Sequence, residues 1–146
     1  NKSLSELYAA KNNLAKVDLA GLSLLSICEL YDNRLERIKL DGCTSISELY
    51  LHNNKLAYLS TRDCEAMRQL DCRNNLLKSL DLSNNISMSF LFATENPLMT
   101  VVYINEKSDY NTISVDENVE VLYRTPGDFD DVSGDWGDDD IDPWKK

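Results

Sequence analysis

A period of 21 residues runs through most of this 146-residue chain. Asparagine recurs at that interval, and columns of Leu, Ile, Val and Met keep the same step. The asparagine column consists of Asn12, Asn33, Asn54, Asn75 and Asn96. A fixed period of this length indicates a solenoid, in which successive units stack and bury one continuous core. A fold of this kind favours a stacked scaffold that binds a partner over an enzyme.

Three apolar columns mark the predicted core. The first opens each unit and consists of Leu4, Leu25, Ile46, Met67 and Met88. The second consists of Leu14, Leu35, Leu56, Leu77 and Leu98. The third consists of Val17, Ile38, Leu59, Leu80 and Val101. Within a unit the L-x-L segment alternates with a period of two, which predicts a short strand. The asparagine follows where the chain must turn, and its side chain can bond backbone groups inside the coil.

The unit L-x-x-L-x-L-x-x-N-x-L-x-x-L-x-L resembles the bacterial 21-residue class of leucine-rich repeat, and the resemblance extends from Leu4 to about Tyr123. It implies a β-rich solenoid of about six rungs with parallel strands. Classical leucine-rich repeats carry helices on the side opposite the strands. Here the second half of the unit reads V-D-L, I-K-L, L-S-T, L-D-L and V-V-Y, which predicts strands or extended segments on both faces.

The predicted domain organisation is a solenoid over residues 1–124 and an acidic tail over residues 125–146. Units start near residues 4, 25, 46, 67, 88 and 110. The sixth unit follows the fifth by 22 residues, and we expect the extra residue within the polar run Asn105–Asp109. The alternation of Val119, Val121 and Tyr123 predicts a closing strand over the last open rung.

The charge of the chain is concentrated at its C-terminal end. The whole chain has a net charge of −10. Residues 1–115 contain 14 acidic and 12 basic residues, hence −2, and residues 116–146 contain 11 acidic and 3 basic residues, hence −8. Without a basic stripe, nucleic acid is an unsuitable partner. No apolar stretch is long enough to span a bilayer.

The acidic tail has three interpretations: a solvated tail, an aromatic and acidic segment that docks on the solenoid or a partner, and a calcium loop. The calcium loop matches poorly. Val132 and Ser133 occupy positions where an EF-hand loop needs a ligand and a glycine. We therefore expect no metal site, and no motif suggests a cofactor.

The four cysteines are expected to be free, buried thiols. Cys28 and Cys72 occupy inward strand positions two rungs apart, about 10 Å on a strand spacing of about 4.8 Å, which is too far for a disulfide. Cys43 and Cys64 share a column in neighbouring units, so a disulfide between them is the alternative. The cysteines therefore leave the cellular compartment open.

Outward residues of the first strand of each unit form the predicted binding surface. Aromatic and charged side chains gather there, and such residues are favoured as anchors in protein interfaces. The predicted ligand-binding residues are Tyr8, Tyr31, Tyr50, His52, Asp71, Arg73, Phe90 and Phe92. Aromatic residues also suit any β-surface, so cross-strand packing is the alternative explanation. The opposite strands show no such cluster, since their outward residues are predicted to be Asp18, Lys39, Ser60, Asp81 and Val102.

These observations predict a non-catalytic module that binds a protein partner. His52 is the only histidine, and an open face does not supply the nucleophile, base and orienting group of a catalytic triad. The alternatives are a carbohydrate- or matrix-binding adhesin fragment, in which sugars stack on the aromatic rings, and a structural spacer. The resemblance favours an extracellular or cell-surface location, with a cytoplasmic one still open.

Overall fold

The computed structural model describes residues 1–126, which form eleven short strands and no helix. The strands are β1 (Glu6–Tyr8), β2 (Lys16–Asp18), β3 (Ile27–Glu29), β4 (Arg37–Lys39), β5 (Glu48–Tyr50), β6 (Gln69–Asp71), β7 (Ser79–Leu82), β8 (Phe90–Phe92), β9 (Val101–Ile104), β10 (Thr112–Ser114) and β11 (Glu120–Tyr123). The prediction of a β-solenoid of about six rungs is confirmed. We number the rungs 1 to 6 from the units that start near residues 4, 25, 46, 67, 88 and 110.

Parallel strands line both sides of the solenoid. One side is a six-stranded sheet in the order β1-β3-β5-β6-β8-β10. The other side is divided between a two-stranded sheet, β2-β4, and a three-stranded sheet, β7-β9-β11. Each strand of the large sheet pairs with its counterpart one rung away, as in Leu49 opposite Leu70. The large sheet on one side and the two smaller sheets on the other confirm the prediction of strands on both faces.

The core lies between the two sides and is filled by the repeating apolar columns. Leu49, Leu56 and Leu70 are fully buried. Leu14 and Val17 of rung 1 are only partly buried, because no earlier rung within the chain covers them. Each unit therefore contributes one layer to a continuous core, as expected for a solenoid.

The asparagine column is a structural ladder, as predicted. The amide of Asn54 donates to the carbonyls of Leu51 and Leu30, at 2.9 and 3.0 Å. Its carbonyl oxygen accepts from the backbone N–H of Leu35 at 3.0 Å. One side chain thus pairs three backbone groups inside the turn, and two of these belong to the preceding rung. The residue before each ladder asparagine takes the left-handed conformation, with φ between 53° and 61°.

The extra residue lies between Asn96 and Met99, so the prediction that it falls within Asn105–Asp109 is wrong. β7 pairs with β9 in a 22-residue register, with Leu80 opposite Val102. Met99 is therefore buried where Leu98 was expected, and Leu98 is 52% exposed. The extra residue displaces the rest of rung 5 by one position, so Met99 occupies the core position that the 21-residue step assigns to Leu98.

The slip also corrects the outward residues of β9. Val102 and Ile104 point into the core, whereas Val101 and Tyr103 were expected there from the 21-residue step. Val102 was predicted to point outward and is buried. The observed register buries two compact aliphatic side chains and keeps the larger Tyr103 ring outside.

The second half of rung 3 contains no strand, which is why the sheet on that side is divided. Thr61 stands in a column that elsewhere contains leucine or isoleucine, and it is buried. Its hydroxyl donates to the side-chain oxygen of Asn85 at 2.8 Å. The Asn85 amide in turn donates to the carbonyls of Thr61 and Cys64, both at 2.9 Å. A buried polar network thus replaces strand pairing here.

The predicted closing strand exists as β11, but it is the second strand of rung 6 and not an added cover. All four of its residues are exposed, with Tyr123 at 73%. Arg124 fastens it to the earlier rungs. Its guanidinium carbon lies 3.4 Å from the ring centroid of Tyr103, and the group donates to Asp81 at 2.8 Å. The predicted acidic tail lies outside the described residues except at its start.

All four cysteines are free and buried, as predicted. Burial raises the pKa of Cys28 and Cys64 to about 12 and also raises the pKa of the Cys43 and Cys72 thiols. The Cys43 thiol donates to the Leu19 carbonyl at 3.1 Å. These cysteines therefore act as small apolar core residues with suppressed thiolate character.

Candidate strand-face binding site

The outer surface of the six-stranded sheet, here called the strand face, brings the predicted binding residues onto one side of the solenoid. Three columns run along it. Tyr8, Glu29, Tyr50, Asp71, Phe92 and Ser114 lie in neighbouring strands and in register. The second column, two residues earlier, contains Glu6, Ile27, Glu48, Gln69, Phe90 and Thr112. Tyr31, His52 and Arg73 belong to the third column, just beyond the strand ends.

Five of these residues form a continuous series of contacts across rungs 2 to 5. The rings of Tyr31 and His52 stack with centroids 4.5 Å apart and planes 6° apart. Nδ1 of His52 lies 3.3 Å from a carboxylate oxygen of Asp71. Arg73 grips both oxygens of Asp71, at 2.9 and 2.6 Å. The guanidinium carbon of Arg73 lies 5.8 Å from the ring centroid of Phe92.

Asp71 supports this series of contacts and is not itself an accessible contact residue. It was predicted to lie on the open surface, but it is only 4% exposed. The Arg73 guanidinium donates to both oxygens of the Asp71 carboxylate and neutralises its charge. The backbone N–H of Arg73 also donates to this carboxylate, at 3.2 Å, and helps to orient it. The same hydrogen bonds raise the pKa of the Arg73 guanidinium. His52 Nδ1 is buried and makes no hydrogen bond of good geometry, so it contacts Asp71 by proximity alone.

Tyrosine and glutamate pair within the strands of rungs 1 and 3. The Tyr8 hydroxyl donates to Glu6 at 3.0 Å, and the Tyr50 hydroxyl donates to Glu48 at 2.8 Å. The hydrogen bond to Glu6 raises the pKa of the Tyr8 phenol. Burial, followed by the bond to Glu48, raises the pKa of Tyr50 to about 12. Both phenols therefore keep their protons and donate them as hydrogen bonds to the glutamate carboxylates.

The sequence-based selection missed Glu6, Glu29 and Glu48. The selection favoured aromatic side chains, although the three glutamates occupy the same columns as the selected residues. A count of charge along the columns could have found them. Three carboxylates lie within the first three rungs of the face, whereas Arg73 is the only Lys or Arg in the three columns.

Phe90 and Phe92 form the apolar end of the strand face. Both lie on β8 and are half-buried, and they are separated by the fully buried Leu91. They contact neither Tyr31 nor His52 directly, since rung 4 stands between them. The strand face therefore has tyrosine and glutamate at one end and phenylalanine at the other.

The opposite side carries a smaller aromatic group than the strand face, but it is not free of one. The register slip places Tyr103 outward there, covered by Arg124. This arrangement corrects the prediction that Val102 faces outward on that side. Because Arg124 also pairs with Asp81, the Tyr103 ring is engaged within the chain and offers little open surface.

Within residues 1–126, no group of three or more His, Cys, Asp or Glu side chains is arranged to hold a metal ion. The same residues include no helix capable of crossing a membrane. The chemistry of the strand face is thus that of rings, carboxylates and one guanidinium, the groups that commonly anchor protein interfaces.

A comparison with solved structures supports the fold. The structure superimposes on the functional domain of InlJ from Listeria monocytogenes, which is described as including a cysteine ladder, with a TM-score of 0.62 and 22% sequence identity. The chain has the fold of a leucine-rich-repeat solenoid. The match covers 84% of this chain and 30% of that InlJ chain, so this chain spans less than a third of its neighbour. No family model and no curated protein matches the sequence.

Proposed function

We propose that this chain is a non-catalytic module that binds a protein partner through its strand face. The observation that carries the proposal is the fixed series Tyr31–His52–Asp71–Arg73–Phe92. The buried Asp71 carboxylate holds the exposed Arg73 guanidinium by two hydrogen bonds, and the His52 imidazole stacks on Tyr31. These groups therefore lose little freedom when a partner binds. Arg and Tyr are also among the residues that most often dominate binding energy.

The proposal extends to the location and to the class of repeat. Many bacterial leucine-rich repeats of this length belong to secreted or surface proteins, and the resemblance of the 21-residue unit to that class supports the proposal. We therefore propose that the repeats belong to the bacterial 21-residue class and that the protein is extracellular or at the cell surface.

The second candidate is a carbohydrate- or matrix-binding adhesin. It is favoured by the stacked Tyr31 and His52 rings, whose planes are nearly parallel, and by polar side chains that follow them in the sequence. Asn53 donates to Asp32 at 2.6 Å, and Asn74 donates to Asn53 at 3.0 Å. Rings next to amides and carboxylates suit sugar hydroxyls as well as peptides.

The test uses the whole chain and two display libraries, one of random twelve-residue peptides and one of glycans. Ligands recovered on the native chain are measured again on Tyr50→Ser/Phe92→Ser. The matched control is Val121→Ser/Tyr123→Ser, which makes the same type of change on the exposed strand β11. Asp81 is unsuitable as a control because it holds Arg124.

We expect the face variant to weaken peptide binding by about tenfold or more, since a hot-spot side chain contributes about 2 kcal/mol. The control should change it less than twofold. Glycans recovered in place of peptides, with the same dependence on Tyr50, would favour the adhesin. Ligands that are indifferent to the face variant and lost in the control would overturn the proposed site.

A further inference from the structure

The strand face is strongly graded in charge from one end to the other. In rungs 1 to 3, Glu6, Glu29 and Glu48 alternate with tyrosines: Glu6 and Glu48 flank Ile27, while Tyr8 and Tyr50 flank Glu29. In rung 5 the same two columns contain Phe90 and Phe92. The face is therefore acidic and phenolic at one end and apolar at the other.

The three glutamates have no basic partner within residues 1–126. Arg73 pairs with Asp71, and Arg124 pairs with Asp81 on the opposite side of the solenoid. Arg73, the only Lys or Arg of the three face columns, is already engaged by Asp71. Glu29 lies diagonal to both Glu6 and Glu48 across the sheet, so the three carboxylates share one surface that a basic partner could contact.

Two of the carboxylates are held in place by phenols of the same strand. The Tyr8 and Tyr50 hydroxyls donate to one oxygen of Glu6 and of Glu48, which leaves the second oxygen of each carboxylate to accept another donor. Tyr8 is 59% exposed, so its ring is also open to a cation. Each carboxylate and ring together offer an ion pair and a cation–π contact to the same basic side chain.

We propose that the partner presents a basic segment to the strand face, an inference that rests on the proposed function. Its Lys or Arg side chains would lie over Glu6, Glu29 and Glu48, and its apolar side chains over Phe90 and Phe92. Charge complementarity selects this occupant. A second copy of the chain has a net charge of −10 and would be repelled.

The test pans a random twelve-residue peptide library against the whole chain and retains peptides that Tyr50→Ser/Phe92→Ser fails to bind. The retained peptides should be at least about twofold enriched in Lys and Arg over the input library. Fluorescence anisotropy then compares Glu6→Gln/Glu29→Gln/Glu48→Gln with Glu36→Gln/Glu65→Gln/Glu106→Gln. Both triple variants remove three negative charges, and the second set consists of exposed residues outside the strand face.

We expect the face triple to weaken binding by about tenfold and to flatten its salt dependence, while the control triple changes it by less than about twofold. Equal loss in both triples would assign the attraction to overall charge and overturn the inference. Face-dependent peptides without Lys or Arg enrichment would overturn it while leaving the proposed function intact. Failure to recover any face-dependent peptide would count against both. Urea unfolding midpoints confirm that each variant is folded.

Discussion

The imidazole of His52 stacks on the phenol ring of Tyr31, and the two residues come from neighbouring rungs. The next rung supplies Asp71, whose carboxylate lies 3.3 Å from the imidazole and is gripped on its other side by Arg73. Side chains from three rungs are thus fixed in one arrangement within the free chain. A partner would meet a preformed surface.

Asp71→Ala tests this support directly. The change removes two hydrogen bonds to the Arg73 guanidinium and leaves Arg73 able to reach water. We expect a loss of about 1–2 kcal/mol in the free energy of unfolding, measured by urea titration. Glu36→Ala, an exposed change in rung 2, is the control and should cost less than about 0.5 kcal/mol. Equal losses of unfolding free energy in the two variants would mean that the Asp71 carboxylate does not stabilise the fold.

A pair of substitutions tests the register slip in rung 5. Met99 is buried and Leu98 is half-exposed, although the 21-residue step predicts the reverse. Met99→Ala should therefore cost about 2–5 kcal/mol through lost burial and a cavity, and Leu98→Ala less than about 0.5 kcal/mol. Chemical denaturation measures both. A larger cost at Leu98 would instead place the extra residue within Asn105–Asp109, as the spacing alone predicts.

The asparagine ladder predicts a gradient of cost along the chain. Asn75→Ala leaves the buried Leu56 N–H without its acceptor and removes one of the two amide donors from each of the Leu51 and Cys72 carbonyls. It should cost about 1–3 kcal/mol. Asn12→Ala, at the exposed first rung, should cost clearly less because water reaches the same groups. Thermal and urea unfolding of the two variants would give the comparison, and similar costs would refute a burial-dependent ladder.

The buried thiols predict a loss of stability at alkaline pH. Burial raises the pKa of Cys28 and Cys64 to about 12 from an ordinary value near 9. The unfolded chain therefore releases these protons at lower pH than the folded one. The contribution is fully present below about pH 9 and is lost between about pH 9 and 12.

Cys28→Ala/Cys64→Ala should flatten the fall in the urea midpoint between pH 8 and pH 10.5, whatever its effect at pH 8. In the native chain at pH 8, a thiol reagent should modify few cysteines, and all four should react after unfolding without reductant. Two reactive thiols after unfolding would reveal a disulfide.

The fold was largely predictable because each unit repeats the same physical problem. Leu49 and Leu70 are inward in every register that keeps the asparagines aligned, so periodicity alone identifies them. The location of the extra residue was not predictable from spacing. Leu98 and Met99, like Val101 and Val102, are adjacent apolar residues, and only the pairing of β9 with β7 decides which member of each pair is inside.

The candidate site was predictable as a face but not as a set of contacts. Alternation assigned Tyr50, Phe90 and Phe92 to the outer side of the sheet. It could not reveal that Asp71 is buried beneath Arg73, because that depends on the rotamer of a long side chain. The role of Arg124 was also out of reach, since its partner Asp81 lies 43 residues earlier.

The direction of the asparagine bonds has a consequence for how chains of this design change length. The amide of Asn54 donates back to Leu30, and its oxygen accepts from Leu35, so both bonds across the rung junction go to the earlier rung. Asn75 repeats this geometry toward Leu51 and Leu56. Excising or duplicating 21 residues between two such asparagines would remove or add donors and acceptors in matched sets. Gene segments of 63 nucleotides are therefore the natural units by which recombination could shorten or lengthen the molecule.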